Sequence, residues 1–266
     1  MIAAQDQTRI EYRDQVVLID GAGANDHISK EIRTTGRFYE SELLNSVEPL
    51  LSAGDFVVDV GANIGNHSLY WAAVCEAEVL AVEPEETVFS VLRRNIALNR
   101  LAGRIFPRNF ALGDTDGVAT VVRGKEENLG QTRVDVDLQG TTIVRRLDGL
   151  HDVAERTVRL VKIDVEGMEL DVLRGAEGVL KRDRPALLVE CLDEAHLESV
   201  LLFLRPMSYH VVDCFNASPT YLLLSTDWRY PSDYSPVQHQ RDIVGRLAKE
   251  LVLQRIQYRA LNRRLL

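Results

Sequence analysis

Residues 56–60 (FVVDV) are a short apolar run bounded by Gly54-Asp55 and by Gly61. A run this brief, without polar alternation, suits a strand buried on both faces, and such strands belong to parallel sheets covered by helices. The pattern recurs. Apolar runs at 79–82, 158–165 and 185–191 alternate with amphipathic stretches at 66–76, 85–99, 167–180 and 194–204, and a further strand is read at 104–108. Strands alternating with helices predict an α/β fold, a doubly wound, mostly parallel sheet. Residues 209–214 and 221–225 end the pattern, and the link between them is too short for a parallel crossover, so one of them runs antiparallel.

Around this core the reading is simpler. Residues 9–19 read as a small hairpin, 21–38 as loop, and 40–51 as a helix; 111–146 hold two or three further β-like runs. The segments 1–52, 53–226 and 227–266 are taken as an N-terminal hairpin and helix packed on the core, the main domain, and a C-terminal linker and helix. In 241–266 seven basic residues face two acids, net +5, against −9 for the whole chain. Val244, Leu247, Leu251, Tyr258, Leu261 and Leu265 follow a heptad spacing, with Gln254 in one core position. A helix packed on its own domain, a homodimer seam, and a basic face meeting an acidic partner or anionic membrane all fit. Cys75, Cys191 and Cys214 are too scattered for a disulfide framework and read as small buried thiols. With no signal-like N-terminus and no membrane-length apolar run, the expectation is a cytoplasmic protein without a transmembrane segment. The acidic balance disfavours nucleic acid as a partner.

The sharpest local feature is residues 59–68 (DVGANIGNHS), which join the first core strand to the first core helix. Ligands of open α/β sheets bind outside the carboxyl ends of the strands, near the point where strand order reverses. Glu83, at the end of the second strand, is placed to accept hydrogen bonds from a ribose diol. A dinucleotide requires Gly-x-Gly-x-x-Gly so that its pyrophosphate can rest on a helix start. Gly61 and Gly65 lack that spacing, and Asp59 repels phosphate while complementing an ammonium group. These charges favour S-adenosylmethionine over a nicotinamide dinucleotide.

Several segments resemble the FkbM-type S-adenosylmethionine-dependent methyltransferases: DVGANIGNHS (59–68), Glu83-Pro84, NFALG (109–113), KIDVEGME (162–169) with VLRGA (172–176), and RPALLVE (184–190), along with RFYESELL (37–44). The resemblance covers residues 35–226. It implies a Rossmann-like methyltransferase fold and O-methylation of a hydroxyl on a sugar, glycan or secondary metabolite. It leaves the acceptor unnamed. It places Glu40 over the cofactor, beside Asp59, Gly61, Ala62, Asn63, Gly65, Asn66 and Glu83, with Asn109 and Ala111 near the adenine edge.

A hydroxyl acceptor must lose a proton, so a base is sought near the cofactor. Lys162, Asp164 and Glu166 alternate at the end of the fourth core strand, which in a regular strand puts them on one face. Asp164 or Glu166 is then the base or the acceptor anchor, with Lys162 tuning its charge. The other reading is a salt bridge from Lys162 and a helix N-terminal carboxylate at Glu166. His67 is the second candidate base, or else a polar helix-start residue. Glu190 ends the fifth strand and faces the acceptor. Asp164, Glu166 and Glu190 form an acidic cluster, but no metal is assigned. Position 165–167 lacks the Pro-Pro-aromatic turn of amino-methylating nucleic-acid enzymes, and no Pro-Cys nucleophile occurs. The competing function is a catalytically silent module that binds a partner through its C-terminal helix.

Overall fold

The computed structural model describes residues 7–23, 26–122, 133–136, 140–216, 218–229 and 231. The chain divides into two units, Met1–Trp228 and Arg229–Leu266. The heptad pattern of 241–266 lies outside the described residues.

The central sheet has seven strands in the order β12-β13-β11-β10-β3-β4-β5. These are β3 (Phe56–Val60), β4 (Glu78–Val82), β5 (Ile105–Arg108), β10 (Val158–Ile163), β11 (Ala186–Glu190), β12 (Tyr209–Phe215) and β13 (Thr220–Ser225). Neighbours from β5 to β11 pair in parallel, and β13 pairs antiparallel with both β11 and β12. Every residue of β3 and β11 is buried, as the unbroken apolar runs require. Crossovers are carried by α3 (Asn66–Ala73), α4 (Glu86–Leu98), α6 (Glu169–Gly175), α7 (Glu177–Asp183) and α8 (Glu194–Leu204). Strand order reverses between β3 and β10, and the crevice at their carboxyl ends is where the site forms.

Four local readings of the sequence change. The stretch taken as loop holds α1 (His27–Thr35), whose composition is mostly polar; the Asp26 carboxylate accepts from Ser29 N at its start, and Gly36 closes it in the left-handed region, φ 63°. The helix expected over 40–51 is α2 (Ser41–Val47), followed by a short 3-10 turn. That expected over 167–180 starts later and breaks at Ala176 into α6 and α7. The break lies beside Gly175, where an added Cβ would stand 2.0 Å from the Gly113 carbonyl. Finally, β6 (Ala111–Leu112), β7 (Gly117–Val122), β8 (Arg133–Val136) and β9 (Thr142–Arg145) form a separate four-stranded sheet. Among the cysteines, Cys191 is buried, Cys75 is partly covered, and Cys214 is exposed on β12, so the expectation of three buried thiols fails for Cys214.

The N-terminal hairpin, β1 (Gln7–Tyr12) with β2 (Gln15–Asp20), is fastened to the core by two amides, Asn99, whose Oδ1 accepts from Leu18 N at 2.8 Å and whose Nδ2 donates to Leu18 O at 2.7 Å, and Asn95. Asn95 of α4 is fully enclosed; its Oδ1 accepts from Asp20 N at 2.7 Å, and its Nδ2 donates to Asp20 O at 3.0 Å and to Ile64 O at 2.8 Å. The same side chain thus holds the hairpin and the glycine loop. Asn95→Ala removes the partner of three backbone groups, one buried and two part-buried, and is expected to cost about 1–3 kcal/mol, read by urea unfolding. A loss under about 0.5 kcal/mol, the range of ordinary surface changes, would show that the amide does not fasten these parts.

Candidate active site

A cavity of about 260 Å³ opens at the carboxyl ends of β3, β4, β10 and β11. Its floor is the turn after β3. Gly61, Asn63 and Gly65 all have positive φ, at 74°, 51° and 94°. The amides of Gly61 and Ala62 both donate to Val82 O at 3.0 Å, which ties the turn to the end of β4. At Gly61 an added Cβ would lie 1.9 Å from the Asp164 carbonyl, and at Gly65 it would lie 2.7 Å from Leu92. Gly61 therefore lets the two loops after β3 and β10 close on one another, while Gly65 is set back from the cavity against a side chain of α4.

Glu83 is almost fully buried, yet it lines the cavity. Its Oε2 accepts from Asn63 N at 3.0 Å and its Oε1 from Glu85 N at 2.8 Å. Each oxygen keeps a lone pair for a ligand, so a diol could bridge them. Burial pushes this carboxyl up to about 7, against the pull of its two backbone donors. Asn109 does not reach the cavity. Its amide donates to the Glu83 and Pro84 carbonyls, at 3.0 and 3.2 Å, and holds the strand end that carries Glu83. Phe110, Ala111 and Leu112 form the wall instead.

Opposite lies a chain of charges. Lys162 is buried; its Nζ donates to Gly61 O at 3.0 Å and stands 3.1 Å from Asp164 Oδ2 and 3.6 Å from Asp59 Oδ1. Burial alone would lower the Lys162 pKa, but Asp164 and Asp59 raise it well above the ordinary value, so the ammonium stays charged. Asp59 is fully enclosed, accepts from Ser68 Oγ at 2.6 Å and does not line the cavity. The expected direct meeting of Asp59 with a ligand ammonium does not match this placement, because its charge is already turned to Lys162.

Asp164 does line the cavity, as do Glu166 and Glu190. Lys162, Asp164 and Glu166 do not share one strand face as their alternation suggested: β10 ends at Ile163, and Glu166 turns into the left-handed region at φ 55°. The carboxylate at the start of α6 is Glu169, not Glu166. Even so, one oxygen from each of Asp164, Glu166 and Glu190 lies within 4.8 Å of the others, a spacing that could hold a divalent cation. Burial works to raise Asp164, but Lys162 and Glu190 bring it below the usual carboxylate range. Burial and the neighbouring Asp164 push Glu190 up. Glu166 is pushed to about 7 by burial, Asp164 and Glu169. The Asp164–Glu190 pair thus divides unequally, with Asp164 the ionised member and Glu190 the one that keeps its proton longer.

His67 and Glu40 complete the rim. Glu40, itself at φ 55°, places Oε2 3.0 Å from His67 Nε2, and both side chains are largely covered. Asn66 sets this up: its Oδ1 accepts from Tyr39 N and its Nδ2 donates to Tyr39 O, both at 3.0 Å. Of the sequence-derived candidates, Glu40, Gly61, Ala62, Asn63, Asn66, His67, Glu83, Ala111, Lys162, Asp164 and Glu166 line one cavity. The sequence reading passed over His27, Tyr39 and Phe110, which also line it. Tyr39 and Phe110 stand next to residues it did select, and that adjacency was the available signal.

Comparison with known proteins bears on this arrangement. The model of the methyltransferase FkbM domain matches residues 59–211, more than half of the chain. This chain belongs to the FkbM methyltransferase family. The cofactor that goes with that family is S-adenosylmethionine, as the sequence resemblance implied. Curated relatives include the methyltransferase sdnD of Sordaria araneosa, 34% identical over 48% of this chain and 62% of its own length. The hexuronic acid methyltransferase AglP of Haloferax volcanii is 31% identical over 48% of this chain and 52% of its own. The 31-O-demethyl-FK506 methyltransferase FkbM of Streptomyces tacrolimicus is 34% identical over 59% of this chain and 70% of its own. The chain thus spans half to two thirds of the length of the first two relatives. No described helix is long and apolar enough to cross a membrane.

The raised Glu83 pKa has a stability consequence. The folded protein holds the Glu83 proton up to about 7, against an ordinary 4.5, so this group favours the folded state below 4.5 and loses that contribution as pH rises through 7. Glu83→Gln removes the titration but also one of the two accepting oxygens, so the expected signature is the change with pH: relative to the parent, the variant gains on the order of 2–3 kcal/mol between pH 5 and pH 8, read by urea unfolding. A gap that does not change between pH 5 and 8 would show that Glu83 is not buried as described.

Proposed function

We propose that this chain is an S-adenosylmethionine-dependent O-methyltransferase whose acceptor is a hydroxyl compound, a sugar, glycan or secondary metabolite. The observation that carries the reading is the charge of the cavity. Among the described lining residues, five carboxylic acids (Glu40, Glu83, Asp164, Glu166 and Glu190) face one Lys or Arg, and that lysine is engaged by Asp59 and Asp164. Such a cleft suits a ligand that carries an ammonium, a sulfonium and a diol. It disfavours a pyrophosphate, for which the described lining residues offer no unengaged Lys or Arg and the sequence no Gly-x-Gly-x-x-Gly turn.

The bound cofactor supplies an activated methyl group, so the protein's task is placement and removal of one proton. Glu83 offers two acceptor oxygens to the ribose diol, and Gly61, Ala62 and Asn63 form the surface beneath. Asp164, kept ionised by Lys162, orients the acceptor hydroxyl by accepting its hydrogen bond. Glu190 first gives up its own proton to solvent; ionised, it is the more basic member of the Asp164–Glu190 pair and takes the proton of the acceptor hydroxyl. His67 with Glu40 closes the opposite rim. The same charge count argues for a neutral or cationic acceptor. In that respect the chain differs from what the name of its relative AglP says that protein acts on, a hexuronic acid.

The test is turnover with S-adenosylmethionine and a panel of neutral glycosides, aminoglycosides and uronates, scored by methylated product. Neutral or amino sugars are expected to be methylated and uronates to be poor acceptors; preferred methylation of uronates would contradict the acceptor reading. In the same assay Asp164→Asn, which keeps shape but loses the charge, is expected to cost ~10²–10⁴-fold in kcat. Near-parental turnover would leave Asp164 a structural partner of Lys162 and move the base to His67.

A further inference from the structure

Glu169 takes no part in the mechanism above, yet, like Asp59, it is an acid near the cavity with no exposed surface. It stands at the first position of α6. A carboxylate at a helix start is ordinary on a surface, where water completes its hydrogen bonds. This one is sealed in, and its bonds reach back across the turn that precedes the helix. Oε1 accepts from Val165 N and Gly167 N, both at 3.1 Å, and Oε2 accepts from Gly167 N at 3.1 Å.

The turn itself is unusual. Glu166 and Gly167 are consecutive residues in the left-handed region, at φ 55° and 104°. With the amides of Val165 and Gly167 drawn inward to one carboxylate, the side chains of Asp164, Val165 and Glu166 are left on the cavity wall. The far end of the turn is fixed independently, since Asp164 N donates to Val60 O at 3.2 Å. A second element closes on the same carboxylate. His196 of α8 puts Nε2 3.2 Å from Glu169 Oε2, and its backbone is held by the helix cap, where His196 N donates to Asp193 Oδ1 at 2.8 Å.

We infer that Glu169, backed by His196, is a positioning residue that folds the 164–167 turn against the cavity and so sets where Asp164 and Glu166 meet the acceptor. The inference rests on the reading of the cavity as the methyl-transfer site. Starting α6 needs no buried acid; a small polar cap would do. A buried carboxylate is costly without full pairing, and here the partners are the amides of the turn and one imidazole from another helix. Burial pushes Glu169 up, while those amides and His196 draw it back down. The other titratable groups acting in this neighbourhood are Glu166 and the Cys191 thiol.

The experiment follows the backbone amide signals of Val165 and Gly167 by NMR from pH 5 to 9 in the full chain, in Glu169→Gln and in His196→Gln. Melting temperature, affinity for S-adenosylhomocysteine and kcat against KM are measured alongside. In the parent both amides are expected to lie downfield and to move together on one titration curve. Glu169→Gln should abolish that curve, weaken S-adenosylhomocysteine roughly five- to tenfold and lower kcat more than it raises KM. His196→Gln keeps the carboxylate and should move the curve to higher pH, with melting nearly unchanged. Unaltered amide signals in Glu169→Gln, or parental affinity and turnover in that variant when folded, would overturn the inference. If Glu169→Gln does not fold, His196→Gln decides, and an unmoved curve there overturns it. Failure of the cofactor reading shows separately, as absent S-adenosylhomocysteine binding by the parent, while the amide titration still reports on the clasp.

Discussion

One buried ammonium joins the two halves of this site. Lys162 leaves β10 and bonds to the carbonyl of Gly61, the residue at which β3 turns into the glycine loop. Its charge is balanced by Asp59 from β3 and Asp164 from the end of β10. Taking an ammonium out of water costs several kcal/mol, and a single partner seldom returns that. Two carboxylates and a carbonyl do, and they come from the two adjacent strands between which the strand order reverses. The crevice that every open α/β sheet has at this point is thereby given a fixed shape and an ionised Asp164 on its wall.

From that pairing the rest of the electrostatics follows. Asp164 is committed to its charged form, so further charge close by is resisted, and Glu190 and Glu166 retain protons above the ordinary carboxylate range. The wall is then a graded set of acids, one fixed as an anion and two able to exchange protons near neutral pH. This is the set of properties that methyl transfer to a hydroxyl calls for: an oriented acceptor and somewhere for its proton to go. The opposite wall differs. Glu83 gives its oxygens one backbone donor each and faces the cavity with the remaining lone pairs.

Much of this was legible in the sequence, and the reasons differ by element. The core strands were plain because burial on both faces forces continuous apolar runs such as FVVDV; the short link also required one of the last two strands to run antiparallel, and the structure makes it β13. Placing Glu83 and the glycine loop in one crevice needed only strand–helix alternation. What failed did so where tertiary contacts outrank pattern. α1 has few apolar residues and is defined by its Asp26 and Gly36 caps. The alternation of Lys162, Asp164 and Glu166 suggested a common strand face, but the strand stops at Ile163 and the turn beyond it is shaped by backbone bonds to Glu169, which no periodicity reveals. Asp59 was read from the sequence as the partner of a ligand ammonium, whereas the structure pairs it with a lysine of the chain itself. Its partner, Lys162, is about a hundred residues away in the chain, and only the sheet register that sets β3 beside β10 brings the two together.

The central claim is that this crevice binds a sulfonium cofactor and its product in preference to a dinucleotide. Titration calorimetry of the full chain with S-adenosylhomocysteine and, separately, with NAD tests it most directly. The account predicts saturable binding of S-adenosylhomocysteine with a stoichiometry of one per chain and no heat from NAD. Binding of NAD, with S-adenosylhomocysteine giving none, would contradict it.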